Sequence, residues 1–99
     1  MTTNIQKDGT SLTMTIEGRI DTQTAPVLEK AIKEAIEDVA ELVLDFAQVG
    51  YISSAGLRTI LTAQNWMDAK NGSMILKNCS KNIMSVFKVT GFDSFLTIE

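Results

Sequence analysis

The sequence predicts an α/β fold: one compact domain in which a small mixed β-sheet, opened by an N-terminal hairpin, has three or four helices packed against it. Three observations predict it. Asp8-Gly9 is a turn dipeptide, and after it Leu12, Met14 and Ile16 alternate with Thr13, Thr15 and Glu17, the period-two pattern of a half-buried strand. Leu28, Ala31, Ile32, Ala35, Ile36 and Val39 recur at three-and-four spacing, the stripe of an amphipathic helix. Beyond residue 40, short apolar runs alternate with further helical patterns, as strand–helix–strand crossovers require. At 99 residues the chain has the length of one domain, 1–99. A chain of that size buries roughly two-thirds of its unfolded surface and folds without staples.

Each element follows from local chemistry. Gly18 closes the second strand of the hairpin, and the polar stretch Thr22-Gln23-Thr24 leads into the first helix. Pro26 suits its first turn, where the missing N–H costs nothing. Glu29, Lys30, Lys33, Glu34, Glu37 and Asp38 form the opposite, solvated face. Leu42-Val43-Leu44 lacks alternation, which suggests a strand buried on both faces. Gln48 to Ile52 reads as a connection, and Ser53-Ser54-Ala55-Gly56 opens a second helix with Leu57, Ile60, Leu61, Gln64 and Met67 inward. Asn71-Gly72 stops it. Met74-Ile75-Leu76 is another short strand. Ser80 caps a third helix with Ile83, Val86 and Phe87 inward, Gly91 ends it, and Phe95 to Ile98 is a final strand or docked tail. Helical crossovers make the later strands parallel neighbours.

Composition removes whole classes of function. There is no histidine and only one cysteine, Cys79. A Ser-His-Asp or Cys-His catalytic set, a histidine phosphocarrier, ordinary histidine zinc ligation and an internal disulfide are thereby excluded. No metal site and no cofactor are expected, and the lone thiol fits a reducing, cytoplasmic setting. Nothing at Met1-Thr2-Thr3-Asn4 resembles a targeting segment, and no run of eighteen apolar residues occurs, so membrane insertion is not expected. The net charge of −3 argues against a nucleic-acid partner. Charge is nonetheless uneven: residues 1–45 are acidic and residues 46–99 mildly basic, compatible with a polar docking face. With no heptad and no long exposed apolar strand, a monomer is the default.

Chemistry concentrates at one junction, where an apolar strand ends at Asp45-Phe46 and Ser53-Ser54-Ala55-Gly56-Leu57 begins a helix. A helix N-terminus presents unpaired N–H groups and a partial positive charge, so a phosphoserine is tolerated there. Ala55 and Gly56 leave room for another protein's backbone, and Leu57 anchors the turn. The bland use of a Ser-Ser pair at this place is capping. As a nucleophile Ser54 has no histidine to take its proton, and the glycine–serine–glycine spacing of a nucleophile elbow is missing. The hydroxyl is better suited to receive a group than to process one, and the chain is read as not an enzyme.

Gly18-Arg19-Ile20-Asp21, then Leu42-Val43-Leu44-Asp45-Phe46, then Tyr51-Ile52-Ser53-Ser54-Ala55-Gly56-Leu57-Arg58, in this order and over nearly the whole chain, resemble the STAS domain and more narrowly the stand-alone bacterial anti-sigma factor antagonists. The resemblance implies that the unphosphorylated form binds an anti-sigma factor that is also a serine kinase, an ATPase of histidine-kinase-like fold, and so frees a sigma factor. Phosphorylation by that kinase switches the antagonist off, and a metal-dependent serine phosphatase resets it. Laid over the family motif of aspartate, serine, serine or threonine, glycine and leucine, Ser53 takes the aspartate position and Ser54 the phosphoacceptor position, with Ser53 the second choice; Ala55 replaces the second hydroxyl residue. The resemblance also places Asp21 near the acceptor, to bond the hydroxyl or repel a phosphate, whereas the residues alone allow a simple Asx turn. Arg58 is positioned to pair with acidic groups on the partner or to sit solvated on its helix. The alternative function is an interaction subunit of a transport complex or signalling scaffold that is never phosphorylated. Elsewhere, Trp66 is a packing residue or a partner anchor, Cys79 a small packing residue, and Glu41 and Asp45 strand-edge charges.

Overall fold

In the computed structural model, which describes residues 1–99, the chain begins with two antiparallel strands, β1 (Thr2–Asp8) and β2 (Ser11–Ile20). Their two-residue loop is Gly9-Thr10, one position later than the dipeptide suggests. Gly9 has φ +62° and Thr10 does not have positive φ, the pattern of a type II′ turn. Thr10 also anchors the next crossover, since its carbonyl accepts from the amides of Ala40 and Glu41. Helix α1 (Ala25–Ala35) follows, then β3 (Glu41–Ile52), α2 (Ser54–Ala69), β4 (Ser73–Lys77) and α3 (Lys81–Thr90). A single 3-10 turn over Phe92–Ser94 leads to the short β5 (Thr97–Ile98). The five strands lie in sequence order, β1 antiparallel to β2 and all later neighbours parallel. This is the mixed sheet with an N-terminal hairpin that the patterns predict.

Register explains where the core sits. Leu12 pairs with Leu42 and Met14 with Leu44, while Leu42 and Leu44 pair with Met74 and Leu76 on the other side. These residues line one face and are all buried. Leu28 and Ile32 of α1, Ile60, Ala63 and Met67 of α2, and Ile83 and Phe87 of α3 close over it. Phe87 meets Phe46 of β3 with ring centroids 6.4 Å apart. The opposite face carries Thr13, Thr15, Val43, Asp45 and Ile75, none of them fully buried. So the expectation of a strand buried on both faces is corrected. All three helices cover one side, and Val43 owes its partial burial to its neighbours in the sheet.

Two further departures have local causes. The connection expected at Gln48 to Ile52 is strand, because β3 runs on to Ile52 through register shifts opposite Thr15/Glu17 and Gly18/Arg19. Each shift inserts an extra residue, so inward positions fall at Phe46, Val49 and Ile52, three apart, and the period-two signature disappears. Helix α1 ends at Ala35, although the apolar stripe continues to Val39. Ile36 and Val39 remain buried beyond the helix, and the Lys70 ammonium reaches from the end of α2 to donate to the carbonyls of Ile36, Glu37 and Val39. A lysine that satisfies the loose carbonyls of a helix terminus makes an early stop inexpensive. In α3 the sequence expectation holds closely: the Ser80 hydroxyl accepts from the Ile83 amide at 3.3 Å, and Gly91 closes the helix at φ +78°.

Candidate functional site at the start of the second helix

Strands β2 and β3 end together. Ile20 pairs with Ile52, and the Ser53 amide donates to the Ile20 carbonyl at 2.8 Å, so Asp21 and Ser53 leave the sheet side by side. Ser53 is extended (φ −92°, ψ 175°), and its hydroxyl accepts from the Gly56 amide at 3.2 Å, which makes it the N-cap of α2. Ser54 is the first helical residue and is exposed. Its hydroxyl has no hydrogen-bond partner within the chain, and the amides of Ser54 and Ala55 find no carbonyl acceptor. The two serines therefore have different chemistry: one oxygen is engaged in holding the helix start, the other is free.

The small residues have a structural reason. A Cβ on Gly56 would lie 2.7 Å from Ile20 Cγ2, 2.7 Å from Ile52 Cγ1 and 3.0 Å from the Ile20 carbonyl oxygen. Only glycine lets the first turn of α2 press onto the two strand ends. Leu57 beside it is buried, and the Thr59 hydroxyl donates to the Ala25 carbonyl, tying α2 to the start of α1. Arg58 is exposed, one turn beyond Ser54, and forms no ion pair.

Asp21 serves its own turn. Its Oδ1 accepts from the amides of Gln23 and Thr24, both at 3.0 Å, and the Asp21 amide donates to Thr24 Oγ1 at 2.8 Å. It bonds neither serine. The Thr24 amide above all, against some desolvation, holds the carboxyl below its ordinary value, with Gln23, the Thr24 hydroxyl and Arg19 adding to the effect. A depressed folded-state value means that the ionised carboxylate stabilises the fold above about pH 4, the unfolded value, and that this contribution disappears as pH falls through the folded value. We expect Asp21→Asn to lower the thermal midpoint more at pH 7 than at pH 3, as followed by circular dichroism at both pH values.

The pair Arg19 and Tyr51 was not singled out from the sequence. The Arg19 guanidinium carbon stands 4.2 Å from the Tyr51 ring centroid, and its Nε lies 3.8 Å from Asp21 Oδ2. They face each other only because the register shifts in β3 bring Tyr51 opposite Arg19, and no spacing in one dimension reveals that. Trp66 is half-buried and packed against the core, as its packing role requires. Glu41 accepts from the Ser11 hydroxyl at 2.8 Å, and Asp45 accepts from the Ala47 amide and the Asn78 side chain.

Cys79 is half-buried, and burial first, with the Asp45 carboxylate second, pushes its thiol up to about 11. A thiol with that value is almost wholly protonated at neutral pH and a poor nucleophile. Labelling of the native chain by iodoacetamide at pH 7.5 should be slower by about two orders of magnitude than labelling of the unfolded chain in urea.

Comparison with known proteins decides the family, for the STAS domain matches residues 2–99. This chain belongs to the STAS domain family. The STAS domain is 26% identical over 96 residues to the anti-sigma-B factor antagonist of Bacillus subtilis (strain 168), a match covering 97% of this chain and 88% of that protein. Among solved structures it is similar to an anti-sigma factor antagonist from Mycobacterium paratuberculosis, with TM-score 0.86, 24% identity, and coverage of 98% and 83% of the two chains. It is also similar to the Bacillus cell fate determinant SpoIIAA in its phosphorylated form, with TM-score 0.77, 19% identity, and coverage of 99% and 91%. These structural likenesses establish the fold. No helix of the STAS domain is long and apolar enough to cross a membrane.

Proposed function

We propose that this STAS domain is an anti-sigma factor antagonist switched by phosphorylation of Ser54. In its unphosphorylated form it binds an anti-sigma factor that is also a serine kinase, and so releases a sigma factor. The observation that carries this reading is the contrast between neighbours, the Ser53 hydroxyl engaged as N-cap and the Ser54 hydroxyl exposed without a partner. Ser54 is thus the preferred acceptor over Ser53. The similarity to curated antagonists supports the partner class, and the phosphorylated relative supports the type of modification.

The chain supplies the substrate hydroxyl and a surface, while the partner brings nucleotide, base and metal. Ala55 and the buried Gly56 keep the rim beside Ser54 low, so a kinase active site reaches the hydroxyl without a bulky side chain in its way. Asp21, with Arg19, forms the neighbouring charged edge, and Arg58 offers a cation on the helix. On this reading the protein is not an enzyme, acts as a monomer in the cytoplasm and is reset by a metal-dependent serine phosphatase. The test is reconstitution with the serine-kinase anti-sigma factor and its sigma factor. The unphosphorylated chain should displace the sigma factor from the kinase, and a chain that neither binds the kinase nor frees the sigma factor would contradict the reading.

A further inference from the structure

Two guanidinium groups belong to this end of the molecule, and they are not equivalent. Arg19 is committed, with its guanidinium carbon 4.2 Å from the Tyr51 ring centroid and its Nε 3.8 Å from Asp21 Oδ2. Arg58 is exposed and has no ion pair. It lies four residues after Ser54 in the same continuous helix. Residues four apart share one face, separated by roughly 6 Å along the axis. Helical side chains lean toward the N-terminus, so the long Arg58 side chain can reach back over the turn that begins with Ser54. An anion preceding a cation by four residues is the favourable order of such a pair.

Resting on the phosphoacceptor reading of Ser54, we infer that Arg58 is the internal counter-ion of the phosphorylated state: the phosphoryl group on Ser54 pairs with the Arg58 guanidinium of the same chain. Guanidinium groups fit phosphate oxygens with two parallel N–H donors, which a lysine does not match. Phosphorylation then alters the docking face twice. It adds a dianion, and it withdraws the cation that the unphosphorylated face offers to acidic groups of a partner. Asp21, Arg19 and Tyr51 border the site from the strand ends, and Glu29 is half-buried on α1 without an ion pair to Arg58.

The test uses full-length chain with phosphoserine incorporated at position 54 during translation, so it does not depend on any kinase. A 31P NMR pH titration reads the second ionisation of the phosphate directly. A nearby cation favours the dianion, so in the unsubstituted phosphoprotein that pKa should lie lower than in Arg58→Gln by about half a unit. Arg58→Lys should recover only part of the shift, and Arg19→Gln should change it less than Arg58→Gln does. Equal values in the unsubstituted and Arg58→Gln phosphoproteins, or a larger effect of Arg19→Gln, would overturn the inference. Because Arg58 is exposed, its replacement leaves the core intact, and unchanged circular dichroism verifies this. Should a kinase in the cell fail to modify Ser54, the proposed function falls while the pairing measured on the synthetic phosphoprotein still stands or falls by its own result.

Discussion

Phosphorylation of Ser54 is expected to weaken binding to the proposed serine-kinase partner roughly a hundred- to several-thousand-fold. The modification adds about −1.5 to −2 charges and three acceptor oxygens at one exposed point. Within an interface those charges lose water, at a cost on the order of 3–5 kcal/mol where the partner offers no cation. Each factor of ten in affinity takes about 1.4 kcal/mol, which gives the stated range. Internal pairing with Arg58 offsets part of this cost but also removes a cation from the docking face, so the direction is unchanged. Ser54→Asp, with one charge and two oxygens, should weaken binding by a smaller factor. Ser54→Ala should bind like the unphosphorylated chain and resist switching off. Isothermal titration calorimetry of the four forms against the kinase measures this ordering, and equal affinities for Ser54→Ala and Ser54→Asp would place the residue outside the interface.

Gly56→Val is expected to cost about 3 kcal/mol, the largest stability loss at this site. The first added carbon already lies 2.7 Å from a side-chain carbon of Ile20 and 2.7 Å from one of Ile52. Neither isoleucine has space to yield, since Ile20 is 0% and Ile52 5% exposed. The Ile20 carbonyl oxygen, 3.0 Å from the same carbon, accepts from the Ser53 amide, so relief by moving the backbone would break the link between strand end and helix cap. Alanine fares better, because a helix gains about 1 kcal/mol when alanine replaces glycine, and this offsets part of the overlap. For a domain of this size, 3 kcal/mol corresponds to a fall in thermal midpoint of roughly 12–24 °C. Gly50→Ala is the control: a Cβ there meets nothing within 4 Å, so its midpoint should move little. A Gly56→Val chain as stable as that control would show that α2 does not need its close seat on the strands.

The sequence patterns that survived folding unchanged are those whose cause is local. Ser80 and Gly91 delimit α3 because a hydroxyl cap and a left-handed glycine act within one turn. The Leu12, Met14, Ile16 alternation is legible because β2 is regular there. What was obscure depends on partners distant in sequence. The early end of α1 is stabilised by Lys70, more than thirty residues away. Strand β3 conceals its second half because two register shifts convert an alternating pattern into one with a spacing of three. One covered sheet face, rather than two, could not be read from Leu42-Val43-Leu44 alone, since Val43 is apolar but lies on the open side.

At the site, Ser53 and Ser54 were visible as a pair, but their division of labour was not. It rests on which oxygen meets the Gly56 amide, a matter of backbone angle at Ser53. Asp21 turned out to fasten its own loop, through chemistry that its position before Gln23 and Thr24 already allows. The Arg19–Tyr51 contact lay beyond any local pattern.

The most direct test of the proposed switch is to incubate the chain with the proposed serine-kinase partner and ATP and to locate the phosphate by fragmentation mass spectrometry. A single phosphate on Ser54, lost in Ser54→Ala and retained in Ser53→Ala, is the result expected from a free hydroxyl beside a capping one. Phosphate on Ser53, or none on either serine with an active kinase, would contradict it.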